Sequence, residues 1–422
     1  MNILKCESKA EGNNPSVCDA YRHKRYMNFI FACYFFYLIS ISSKMSYTAE
    51  MVSIIAEFQT TKFQVGIGLT IYYILYAVAQ VAVALSIRKI NMRRYIVITS
   101  VGSAVSFALA IFAGELRHMW IILALNGIFQ SSVFGGCMYF IGKYLPDSMA
   151  AFSSKFLSTG LAIGTALSYG VSAFFVSVAS WKYTFLFFAV MTVVSIVWFL
   201  LAEKGVKNLP SSSEKIPSCD ENADDKKSAT LLLLYMTVAT FFISCMYYGI
   251  SNWIPNLLKE IYGMPASYSI LVTVLIPLGM MFGPVLSGNM CEKHDNYFMV
   301  GFLFSLCALI MTGIMAIMYG TGIVTALALS VAILFCIRGV LNLLCSYIPL
   351  KLKKRYNAGK FSLIINAFTA LGAAVIPSVT GKVIDSVSWT AYYVFMSVIC
   401  IVSLIILFLL SVYFKRMNKK QG

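Results

Sequence analysis

Twelve apolar stretches, each long enough to cross a bilayer, constrain this chain more than any other feature. A spanning helix needs about 20 mainly apolar residues, because each residue rises about 1.5 Å and the hydrocarbon is about 30 Å thick. The stretches lie at approximately 27–48, 63–87, 94–114, 117–142, 153–178, 182–202, 229–256, 266–290, 297–319, 322–349, 361–384 and 389–414. In lipid the backbone must satisfy its own polar groups, which leaves helices or a closed barrel. Continuous apolar runs such as 182–202 exclude the barrel, whose strands alternate in polarity. Composition agrees: only 12% of residues are charged, against about 25% in soluble chains. The first 25 residues are polar and contain no apolar segment with a small-residue cleavage site, so no cleaved signal peptide is expected.

The net charge of +16 invites a nucleic-acid reading, but the positions of the charges argue against it. Most basic residues fall on one side of the spans. Lys5, Lys9, Arg22, Lys24 and Arg25 precede span 1, and Arg88, Lys89, Arg93 and Arg94 follow span 2. Lys351, Lys353, Lys354 and Arg355 follow span 10. The other side holds Lys62, Arg117, Lys182, Lys259 and Lys382. Cytoplasmic loops are enriched in Lys and Arg, so both termini are expected in the cytoplasm of a cell-membrane protein. The eleven cysteines sit mostly inside apolar runs without C-x-x-C pairs, and read as buried thiols, not as metal ligands.

The segment 203–228 is polar, Ser-rich and dense in charge, and reads as a linker. It divides the chain into a tail (1–26), a six-span bundle (27–202), a second six-span bundle (229–414) and a short tail (415–422). The halves resemble each other. When Trp181 is laid over Trp389, Gly164 falls on Gly372, and the small-residue run LAIGTAL overlies TALGAAV. Small residues let helices approach where lipid supplies no hydrophobic push. The fold class is therefore an all-α polytopic membrane protein, with twelve transmembrane helices in two pseudo-symmetric six-helix bundles. Parallel six-helix repeats place a substrate site between the halves near the midplane.

Several local segments carry a family resemblance. Span 4 reads GIFQSSVFGGC, with Phe129, Gln130 and Cys137; span 7 reads YYGISNWIPNLLKE, with Tyr248, Trp253, Pro255 and Glu260; span 11 ends GKVIDSVSW, with Gly381, Asp385 and Trp389. The chain resembles the major facilitator superfamily along nearly all its spans, and within it the organophosphate:phosphate antiporters. The resemblance implies that spans 1, 4, 7 and 10 line a central cavity. The sequence also departs from that branch. The basic pair of span 1 is represented by Ser43 and Lys44, the phosphate-gripping arginine of span 7 by Tyr247, and the histidine of span 5 by Leu161. Those departures remove the paired arginine forks that suit a phosphate ester. Arg88 stands at the acidic position of the signature after span 2, Arg93 and Arg94 keep its basic end, and Glu292 holds the matching acidic place after span 8.

Charges inside lipid are costly and usually face a cavity. Lys44 and Arg338 lie within spans 1 and 10, and two cations on cavity-lining spans favour an anionic solute. Gln130, Phe134, Tyr247, Asn252, Trp253, Asn342 and Asn366 are the polar and aromatic groups expected to complete the site. Arg93, Arg94, Gly164, Trp181, Glu292, Gly372, Asp385 and Trp389 are expected to serve structure and conformational change. The spans carry no Asp, Glu or His near their centres, and Glu50 and Asp385 read as residues of external ends. This pattern favours exchange or facilitated transport over proton symport, while sodium held by backbone carbonyls stays compatible with it. There is no nucleotide-binding loop, zinc spacing or catalytic triad, so neither an enzyme nor a cofactor is expected. The expected protein is a monomeric carrier of a small organic anion; a solute sensor that does not transport, or a carrier of neutral compounds, are the alternatives.

Overall fold

The computed structural model describes residues 15–86, 90–131, 133–207, 209, 223–294, 296–351 and 358–419. Twelve of its helical units are long and apolar enough to cross a membrane. They are α1 (Arg22–Phe58), α2 (Lys62–Val83), α3 (Met92–Phe112), α4 (Leu116–Tyr144), α5 (Thr159–Val178) and α6 (Lys182–Val206). After the connection come α7 (Leu231–Tyr262), α8 (Ala266–Lys293), α9 (Tyr297–Met318), α10 (Ile323–Tyr347), α11 (Ile364–Ser386) and α12 (Trp389–Arg416). An even number of crossings puts both ends of the chain on one face, called here the terminal side; the opposite face is the far side.

The order of spans agrees with the sequence reading, and their ends differ from it. The helix that carries α1 begins at Pro15 and runs to Phe58, well beyond the expected 27–48, because polar helical turns continue outside the apolar window. Helix also enters both ends of the expected linker, up to Val206 and again from Ala223. Residues 210–222, and Arg88, lie outside the described residues. Three spans are interrupted. α4 breaks between Gln130 and Val133. α8 is three pieces, Ala266–Thr273, Leu275–Met280 and Gly283–Lys293, broken where Pro277, Gly279, Gly283 and Pro284 weaken the helical ladder. α10 closes in a π-turn over Leu343–Tyr347.

The two halves repeat one packing scheme. α1 lies against α5 and α6, α3 against α6 and α2 against α4; correspondingly α7 lies against α11 and α12, α9 against α12 and α8 against α10. Two matched details show why. A Cβ on Gly164 would stand 3.0 Å from the Leu38 carbonyl oxygen of α1, and one on Gly372 would stand 2.8 Å from the Phe241 carbonyl oxygen of α7. Each glycine thus lets an α5-type helix touch its α1-type neighbour. At the far side, the Trp181 indole donates to Glu57 and the Trp389 indole donates to Glu260 at 3.0 Å, tying the start of α6 to α1 and the start of α12 to α7.

Lipid-facing surfaces are apolar. Ile98, Val101, Val105 and Phe112 form an exposed stripe on α3, and Val394, Val398, Ile401 and Ile405 form one on α12. Their three-to-four spacing puts each set on one helix face. Inside, Cys33, Cys137, Cys245 and Cys400 are buried free thiols.

Gly372→Val should drive branched methyls into the Phe241 carbonyl and the Ser244 side chain. Overpacking of this kind costs about 1–3 kcal/mol. Thermal unfolding of the purified variant is expected several degrees below wild type, and an unchanged midpoint would contradict the close packing.

Candidate functional site

Five side chains form a continuous layer across the boundary between the halves. Lys44 of α1 points its ammonium over three tyrosines of α2, at 5.8 Å from the Tyr72 ring centroid, 4.7 Å from Tyr73 and 4.6 Å from Tyr76. Tyr73 meets Tyr248 of α7 edge to face at 5.3 Å, and Tyr248 meets Tyr247 at 4.9 Å. The guanidinium of Arg338, from α10, lies 5.6 Å from the Tyr247 ring. The path Lys44, Tyr73, Tyr248, Tyr247, Arg338 therefore carries one cation from each half. Among the described residues, neither cation pairs with a carboxylate. A ring quadrupole attracts a cation by about 0.5–2 kcal/mol, so the tyrosines replace part of the lost hydration.

The expected site residues separate into groups. Lys44, Tyr247 and Arg338 are in the layer. Gln130 supports it: Tyr72 donates to its side-chain oxygen at 2.8 Å, and its amide nitrogen donates to Ser43 at 2.9 Å and Ser103 at 3.3 Å. Its amide is fully engaged, so it orients Tyr72 beneath Lys44. Asn252 is buried beside the layer in a narrow cavity lined by Thr48, Thr165, Tyr169 and Tyr247, and its amide nitrogen has no hydrogen-bond partner. Trp253, next in sequence, faces away and donates to Thr380 of α11 at 2.9 Å, which makes it part of the α7–α11 packing. Phe134 is exposed and packs on Tyr37 at 5.2 Å. Asn342 is half-buried where α10 enters its π-turn, and Asn366 is exposed near the terminal end of α11. Tyr72, Tyr73 and Tyr76 were not among the expected residues; their signal is a tyrosine cluster at i, i+1 and i+4 opposite a half-buried lysine.

The halves meet mainly through α2 on α11 and α5 on α8. On the first seam the named contacts sit toward the far side. A Cβ on Gly66 would lie 2.8 Å from the Pro377 carbonyl oxygen, and one on Gly381 would lie 2.7 Å from the Lys62 carbonyl. Thr70 donates to the Ala374 carbonyl at 2.6 Å and pairs with Ser378. At the rim, Lys62 bridges Glu260 at 2.7 Å and Asp385 at 3.3 Å. Asp385 also accepts the free amide of Phe63 at 2.9 Å, so a carboxylate of one half caps the helix start of the other. Toward the terminal side, Ile74, Val78 and Val81 of α2 and Ile364 of α11 are exposed. The seam is shut on the far side, and on the α5–α8 seam it is the far-side pieces of α8, Ala266–Thr273 and Leu275–Met280, that carry the packing.

The remaining expected structural residues lie at the terminal face. Arg93 pairs with the buried Glu203 at 2.8 Å, and Tyr144 donates to the same carboxylate at 3.1 Å. Arg94 and Glu292 are exposed there. Glu50, read as a residue of an external end, is completely buried between α1 and α6, with Thr184 donating to it at 2.7 Å.

Two matched six-helix halves, a seam shut on one side and a charged layer at mid-span define the architecture of a polytopic membrane transporter. The chain belongs to the Major Facilitator Superfamily, whose family profile matches residues 30–362. It is 22% identical over 274 residues to the probable sulfoacetate transporter SauU of Cupriavidus necator, a match spanning 61% of this chain and 63% of the length of that relative. Its fold is similar to that of a bacterial homolog of the human lysosomal transporter Spinster, solved inward-facing and unoccupied: TM-score 0.74, 15% identity, covering 96% of this chain and 99% of that one. It is also similar to the nucleoside transporter NupG, with TM-score 0.71, 9% identity, and coverage of 90% and 99%.

Lys62→Met should unfasten the far-side rim. Each partly exposed ion pair is worth about 0.2–1 kcal/mol, and about 1.4 kcal/mol is tenfold in a population. A cysteine introduced at Ser378 is expected to react with an impermeant thiol reagent several-fold faster in that background. Equal rates would show that Lys62 does not hold the seam.

Proposed function

We propose that this transporter carries a small organic anion bearing a carboxylate or sulfonate, by alternating access across the bilayer. The observation that carries the reading is the tyrosine layer with Lys44 at one end and Arg338 at the other, each without a carboxylate partner. An uncompensated cation in lipid needs a counter-charge, and a solute between the halves supplies one. Arg338 offers a planar fork to an oxyanion, and Lys44 offers a compact charge. Tyr73, Tyr247 and Tyr248 offer hydroxyl donors between them, and the unpaired amide of Asn252 offers another. The relative named a probable sulfoacetate transporter supports an acidic solute of this size. Without the paired arginines of the organophosphate:phosphate branch, a phosphate ester is the less suited cargo.

Because the cations come from opposite halves, an anion held by both draws the halves together. That gives the solute different affinity for the open and closed arrangements, as a conformational cycle requires. The far-side seam described above corresponds to the arrangement open toward the terminal side. The excess of Lys and Arg on that side supports a cytoplasmic assignment for both termini.

The test is uptake into proteoliposomes of a panel of carboxylates and sulfonates, sulfoacetate included. Arg338→Gln is expected to raise the half-saturating concentration of the transported anion by roughly 10- to 100-fold, the loss of one charged hydrogen-bond partner. Lys44→Gln should act in the same direction. Unchanged kinetics in both variants, or saturable transport of neutral solutes only, would overturn the reading.

A further inference from the structure

We propose that Glu50, Ser53, Ser168, Ser172 and Thr184 form a sodium-ion site inside the first half, between α1, α5 and α6. The Glu50 carboxyl is fully buried, and only one of its oxygens is hydrogen-bonded, to Thr184 at 2.7 Å. The hydroxyls of Ser172 and Ser53 face the same carboxyl. Ser168 stands one turn from Ser172 on the same face of α5. The second Glu50 oxygen and the hydroxyls of Ser53, Ser168 and Ser172 all lack a hydrogen-bond partner.

Among the described residues, Ser100 and Ser305 are the other buried serines without a partner, but only Ser53, Ser168 and Ser172 lie on the helices around the Glu50 carboxyl. Helical Ser and Thr in lipid normally donate back to a carbonyl three or four residues earlier. Ser42, Ser153, Thr165 and Thr192 all do so here, with distances of 2.7 to 2.9 Å. Ser53, Ser168 and Ser172 do not, and the hydroxyls of Ser53 and Ser172 are directed at the Glu50 carboxyl. A buried carboxylate without a counter-charge is strongly disfavoured. Among the described residues no Lys or Arg offers one: Lys182 of α6 is committed to Glu57 at 3.1 Å, and Lys44 stands on the tyrosines of α2.

The chemistry of the shell selects its occupant. One carboxylate and four hydroxyls are hard oxygen donors, suited to a hard cation. Among the described residues no three His, Cys, Asp or Glu side chains converge, so a transition-metal set is absent. A single carboxylate compensates one positive charge, which favours a monovalent ion over a divalent one. A proton would also neutralise Glu50, and its carboxyl oxygens would still accept from neighbouring hydroxyls; sodium and a proton therefore compete for one site, and the binding assay separates them. Since α1 carries both Glu50 and Lys44, an ion that fixes α1 against α5 and α6 also fixes the support of the anion layer.

The experiment measures binding of radioactive sodium to purified, monodisperse protein by scintillation proximity, with no organic solute present. Saturable binding of one ion per chain is expected, displaced by unlabelled sodium but not by potassium or choline. Glu50→Gln should abolish it. Ser172→Ala and Thr184→Val keep the carboxylate and the fold, and each should weaken it by roughly tenfold, the value of one lost ligand. Absence of saturable binding, equal displacement by potassium, or undiminished binding in the hydroxyl variants would overturn the proposal. So would a thermal midpoint that follows pH through Glu50 and ignores sodium, since a proton would then be the occupant. Because no solute enters the assay, failure here leaves the anion reading standing, and failure of that reading leaves this one standing.

Discussion

Lys44 and Arg338 hold two positive charges within the membrane-crossing region without a carboxylate against either. Lipid cannot hydrate them, so the surrounding structure has to make their presence tolerable. It does so with ring faces on both sides of the seam, and with a Gln130 amide whose hydrogen bonds hold Tyr72 in place. The arrangement stabilises the cations without neutralising them. The proposed anion would meet, among the described residues, no carboxylate competing for the same donors.

The rest of the fold keeps that layer at a movable boundary. Within each half, glycine-mediated contacts and a tryptophan–glutamate hydrogen bond join the helices closely; Gly164 and Trp181 do this in one half, Gly372 and Trp389 in the other. Between the halves, the α2–α11 seam also has close glycine contacts, at Gly66 and Gly381, and its named contacts are gathered toward the far side. Lys62, Asp385 and Glu260 add polar bonds at its rim that water can replace. Rigid halves with a replaceable rim favour rocking as units over internal rearrangement.

The spans and their six-and-six division were legible in the sequence because bilayer thickness imposes one length on every crossing. The tryptophan pair was legible because a rare residue recurred at matching helix starts. Span ends were less so, since polar helix outside the lipid, as at Pro15–Arg25, leaves no hydropathy signal. The two cations were visible as charges in apolar runs. Their tyrosine partners were not, because an aromatic residue in a membrane helix usually packs, and only the three-dimensional neighbour separates Tyr73 from Trp253. Glu50 looked peripheral when counted along the chain. Its signal was periodic: Ser43, Ser46, Glu50, Ser53 and Glu57 recur every three or four residues, which draws a polar stripe down one face of α1.

Alternating access, as proposed, requires that the seam now shut on the far side open while the terminal side closes, with the Lys44–Arg338 layer as the pivot of both. Spin labels can report this directly when one pair spans the far ends of α2 and α11 and a second pair spans their terminal ends. Saturating organic anion, under conditions of exchange, should add a population in which the far-side distance lengthens and the terminal-side distance shortens together. Distances that stay in one distribution with a bound anion, or that change on one side only, would contradict the account.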